Sequence, residues 1–82
     1  MSSKTIPQRT FRVYRRADGG YVTRNEAPAD SPLGVDYSLS QALGTARREA
    51  TKASRDGCRV SIELQDSGGK WRQIDVIDPP RA

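Results

Sequence analysis

Apolar and polar residues alternate with a period of two along two separate stretches of this chain, and a helical period lies between them. From Thr10 to Arg16, Phe11 and Val13 fall on one side and Arg12, Tyr14 and Arg16 on the other, as in a half-buried strand. Ala17-Asp18-Gly19-Gly20 supplies residues suited to a hairpin turn, and Tyr21 to Asn25 returns with Val22 as the expected inward residue. Residues 58 to 65 alternate most cleanly: Cys58, Val60, Ile62 and Leu64 face one way, and Arg59, Ser61, Glu63 and Gln65 the other. A second glycine-pair turn, Asp66-Ser67-Gly68-Gly69, leads into a return strand from Lys70 to Ile77. There Ile74 and Val76 are expected to point inward, and Trp71, Gln73 and Asp75 outward.

Between the hairpins, Leu39, Ala42, Leu43, Ala46, Ala50 and Ala53 recur every three or four residues, which places them on one stripe of a helix. Ser38 or Ser40 can cap its start, and Gly57 stops it after about Arg55. A mostly alanine stripe lets the helix backbone lie close to a sheet. Residues 26–38 hold two prolines, a glycine and three acids, which reads as a long connecting loop; Leu33, Val35 and Tyr37 offer anchors or an irregular strand within it. The predicted fold is α+β, a single ββαββ domain over residues 9–78 with a four-stranded antiparallel sheet and one helix packed on one face. Residues 1–8 are expected to form a flexible N-terminal tail and 79–82 a C-terminal tail.

Composition narrows the chemistry more than it extends it. At 82 residues the chain has room for a small core and little for a deep substrate cavity. Cys58 is the one cysteine, so no intrachain disulfide forms and a reducing compartment suits the chain. No apolar run approaches the roughly 20 residues of a membrane helix, and Met1-Ser2-Ser3-Lys4 leads into polar sequence; the expected location is cytoplasmic. Histidine is absent, which removes the usual proton shuttle near neutral pH and the commonest metal ligand. The serines have no base to activate them, and each glycine pair is followed by a strand where a phosphate loop requires a helix. No catalytic residue, metal ligand or cofactor is expected, and the chain reads as a non-enzymatic binding or interaction module.

Net charge is +4, and residues 1–25 alone carry six Lys or Arg against one acid. The alternation gathers Arg12, Tyr14, Arg16, Tyr21, Arg59, Trp71 and Gln73 on the sheet face away from the helix, a candidate binding surface of aromatics and cations. These residue types serve protein contacts, self-association included, and among functional uses that is the favoured reading. The alternative is single-stranded nucleic acid, with bases stacked on the rings and guanidinium groups on phosphates. A third use of the same residues is purely structural: Trp71 and Tyr14 forming a cross-strand pair, or Trp71 covering a thin core. Arg48, Lys52 and Arg55 form a secondary basic patch on the outward side of the helix, and exposed strand edges offer a further route to a homodimer.

The layout resembles small uncharacterised bacterial proteins classed as domains of unknown function. The resemblance spans residues 10–77 and rests on the Gly-Gly-aromatic turn at Gly19-Gly20-Tyr21, the serine-led alanine-rich helix with its Ala42 to Arg47 rhythm, and the final strand pair. It implies the hairpin–helix–hairpin fold and carries over no functional residue. The long acidic segment at 26–38 departs from the compact linkers of that layout.

Overall fold

The computed structural model describes residues 6–26 and 31–80. Five strands and one helix follow in the order β1 (Gln8–Arg15), β2 (Tyr21–Asn25), β3 (Ser31–Asp36), α1 (Leu39–Arg55), β4 (Arg59–Gln65) and β5 (Trp71–Ile77). They form one mixed sheet, ordered β3-β2-β1-β4-β5, with α1 packed on one face.

The two expected hairpins, β1-β2 and β4-β5, are both present and antiparallel. Their turns share one geometry. Arg16 N–H donates to the Gly20 carbonyl at 2.8 Å and Asp66 N–H to the Lys70 carbonyl at 2.8 Å, which aligns Gly19 with Gly69. These are the two turn residues with positive φ, +88° and +83°, where a side chain would be strained. The aspartates do not align: Asp18 Oδ1 accepts from Gly20 N–H, whereas Asp66 Oδ1 accepts from both Gly68 N–H and Lys70 N–H.

The four-stranded antiparallel sheet expected from the sequence is corrected by β3. Part of the acidic segment is this edge strand, paired antiparallel with β2 and carrying a register shift opposite Thr23 and Arg24. Its apolar residues Leu33 and Val35 stand two apart, yet the register shift sends Leu33 to the core and leaves Val35 on the opposite face, and an edge strand tolerates its proline. One extra strand also reverses the direction of everything after the helix. The 17 residues of α1 carry the chain back about 26 Å, so β4 runs parallel to the strand that precedes the helix. With β3 in that place, β4 lies parallel to β1, pairing Phe11 with Ile62 and Val13 with Leu64.

The core between helix and sheet consists of Phe11, Val13, Ala42, Ala46, Ala50, Ala53, Cys58, Val60 and Ile62. Ser38 caps α1 by accepting from Gln41 N–H at 3.1 Å, and Gly57, at φ +96°, ends it. The buried stripe is rotated from the expected one: Leu39 is exposed, while Thr45 and Ser54 are buried. Thr45 lies against β3, where its Oγ1 donates to Asp36 Oδ2 at 2.9 Å. A Cβ on Gly34 would stand 2.9 Å from Thr45 Cγ2, so the glycine is what allows this close approach.

The expected 1–8 tail loses Gln8 to β1, and the Pro7 carbonyl accepts from Arg59 N–H at 2.9 Å. Residues 1–5, 27–30 and 81–82, which complete the expected tails and the middle of the expected loop, lie outside the described residues.

Candidate interaction surface on the open sheet face

Strand pairing dictates which side chains share the face opposite α1. Phe11 and Val13 point to the helix, so their partners on β2, Asn25 and Thr23, do as well, and so does Tyr21, paired with Arg15. This corrects the assignment of Val22 and Tyr21. Val22 lies on the open face, and Tyr21 packs beside the core with the Arg15 guanidinium 6.0 Å from its ring centre. The parity of Phe11 and Val13, carried through a turn that closes Arg15 on Tyr21, contained the signal.

A second correction lies on β5. The register shifts between Ile62 and Glu63, so the strand changes phase at Ile74. Ile74 packs on the core as expected, but beyond it Asp75 pairs with Ile62 and meets Arg47 of the helix at 3.3 Å. Val76 pairs with Ser61 and is 39% exposed. A pure period-two reading places both on the wrong face.

The open face is therefore built in rows across the strands. Val35, Val22, Tyr14, Gln65 and Trp71 form the first; Pro32, Arg24, Arg12, Glu63 and Gln73 form the second. Glu26, whose N–H donates to the Thr10 carbonyl, begins a third that continues through Thr10, Ser61 and Val76. At the centre, the Tyr14 and Trp71 rings meet edge to face with centroids 4.8 Å apart, and the Arg12 guanidinium lies 4.7 Å from the Trp71 ring centre. Arg12 Nε donates to Glu63 Oε1 at 2.8 Å, Arg12 Nη1 lies 3.8 Å from Glu26 Oε1, and Tyr14 O–H donates to Glu26. Beside them Ser61 Oγ donates to Gln73 Oε1 at 3.0 Å.

Of the seven residues expected on this surface, Arg12, Tyr14, Trp71 and Gln73 come together. Arg59 is on the same face at its far end, bound to Asp78 and lining a shallow cleft of about 400 Å³ with Ile6, Pro79 and Pro80. Arg16 is in the first turn, paired with Asp18 at 3.0 Å, and Tyr21 is on the opposite face. Val22, Val35, Val76 and Glu26, which the sequence reading did not include, belong to the surface.

Tyr14 and Trp71 are half-buried by their neighbours within the face, and α1 packs on the other side. The cross-strand pair and the open surface are thus the same feature. The charges on it are nearly balanced: Arg12, Arg24 and Arg59 are interleaved with Glu26, Glu63 and Asp78. On the helix, Arg48 Nη2 lies 3.5 Å from Thr45 Oγ1 and Lys52 meets Glu49 at 3.2 Å, while Arg55 is exposed near the C-terminal end. Among the described residues no three acids, cysteines or histidines cluster to hold a metal ion. Nor is any helix there long and apolar enough to cross a membrane.

Comparison of the chain with protein-family models, with curated proteins and with solved structures gave no match. No residue role is carried over from another protein.

Proposed function

We propose that the protein is a non-enzymatic interaction module that binds a protein partner through the open face of its sheet. The observation that carries this reading is the combination of an apolar and aromatic row, Val35, Val22, Tyr14 and Trp71, with charges that neutralise one another within the face. Trp, Tyr and Arg anchors at the centre of a patch, ringed by polar groups, are the usual composition of a protein-binding hot spot. Nucleic acid is the second reading, and the same charges weigh against it. Glu63 and Glu26 hold Arg12, Asp78 holds Arg59, and two carboxylates stand beside the rings where a phosphate backbone would have to pass.

The face is also a better docking site than the edges. Both edge strands carry a register shift, and β3 adds a proline that cannot donate to a new strand. Cross-linking in the cells that make the protein tests the reading. A photoreactive side chain at Gln73, on the face, should yield discrete protein adducts, and the same group at Arg55, on the helix, should not. Equal adducts at both positions, or none at Gln73, would overturn it. Adducts at Gln73 that nucleases shorten would replace it with the nucleic-acid reading.

A further inference from the structure

The second row of the open face reads, across four adjacent strands, Arg24, Arg12, Glu63 and Gln73. Its cations lie on β2 and β1 and its acid on β4, so the row is asymmetric about the junction between β1 and β4. A two-fold axis running along that junction, midway between two facing sheets, exchanges β1 with β4 and β2 with β5. It sets Arg12 over the partner's Glu63, Val22 over the partner's Trp71, Tyr14 over the partner's Gln65 and Thr10 over the partner's Ser61. No like charges are opposed in the first two rows. We propose that the partner of this face is a second copy of the chain, packed sheet to sheet as an isologous dimer; this inference rests on the interaction reading above.

Charge argues for a second copy over an unlike partner. A partner with a strong net charge gains nothing from a face whose cations and acids cancel, whereas an inverted copy presents the complementary sign at each central position. The twist of packed sheets, about 30° between strand directions, keeps the central rows in contact and separates the corners. Four strands at about 4.8 Å spacing, each about six residues long, give a projected patch of about 400 Å² per copy. That is about 800 Å² for the pair before side-chain relief is added, at the small end of specific interfaces, so the dimer is a reversible one. A chain of net charge +4 also repels its own copy, and salt relieves that repulsion.

Sedimentation equilibrium on the full chain, from about 1 μM to about 1 mM, should show its mass rising from one chain to two. Arg12→Glu and Glu63→Arg should each weaken association about tenfold or more, and an equimolar mixture of the two variants should associate better than either alone. Because Arg12 and Glu63 also pair within the chain, folding of each variant is checked by far-UV circular dichroism. Ser61→Lys provides an independent test: it gives up the hydrogen bond to Gln73 and sets a long charged side chain in the third row, should lower the unfolding midpoint of the monomer only slightly, and should abolish the dimer.

A wild-type chain that remains monomeric over this range overturns the inference. So does a mixture no better than its components, or a dimer that survives Ser61→Lys. Cross-linked adducts at Gln73 from a chain that is monomeric in solution leave the interaction reading standing and remove only the second copy. The absence of such adducts removes both.

Discussion

The two faces of the sheet are made from the same strands in the same register, yet they are packed by different rules. On the helix side, Val13, Val60 and Ile62 have no exposure at all, and four alanines bring the helix backbone down onto them. On the open side the largest side chains are half-buried or exposed, and they are held by an edge-to-face ring pair, a stacked guanidinium and ion pairs. Close packing makes the first face sensitive to single methyl groups. The second is held by contacts that each contribute little to stability, so its side chains tolerate exchange far better than those of the core. The exceptions lie under the helix. Thr23 and Asn25 are buried there, and Thr23 Oγ1 and Asn25 Oδ1 have no hydrogen-bond partner among the described residues.

The contrast is most severely tested at the centre of the core. Ile62→Ala should lower unfolding free energy by about 3 kcal/mol, a large share of what a domain of this size has, measured by urea denaturation. A loss below about 1 kcal/mol would mean that the helix side is not closely packed. Gly34→Ala should cost about 1 to 2 kcal/mol, because the new methyl meets Thr45 Cγ2 where helix and edge strand touch. An unchanged midpoint would show that the helix can lift from β3 without penalty.

Thr23→Val runs in the opposite direction. It replaces an unpartnered buried hydroxyl with a methyl of similar shape, and thermal unfolding should report a gain of about 1 kcal/mol. A loss there would show that the hydroxyl has a partner. On the open face, Gln73→Lys should change stability by less than about 0.5 kcal/mol, and a change comparable to that of Ile62→Ala would erase the distinction between the faces.

Much of the fold was legible because its signals are local. Alternation marked β1 and β4, glycine pairs marked both turns, and Ser38, the alanine spacing and Gly57 marked the helix. The site was legible as far as alternation held unbroken: Arg12, Tyr14 and Trp71 were placed together correctly. It failed at Val22 and Tyr21, where the face of β2 depends on the register of its hairpin. It failed again at Asp75 and Val76, where an extra residue changes the phase of β5.

The sequence by itself determined the two hairpins, the single helix with its limits, and the cluster of Arg12, Tyr14 and Trp71, since period, turn chemistry and capping act over a few residues. Only the tertiary structure decided that Ser31–Asp36 is a strand, that β4 runs parallel to β1, and that Arg12 is matched by Glu63 from a strand 51 residues away. The pairing of β4 with β1 joins segments distant in the chain, and β3, with its proline, glycine and register shift, is held by the edge that β2 offers and by Thr45 of the helix. The same parallel junction of β1 and β4 sets Arg12 beside Glu63 and gives the open face its balance of charge.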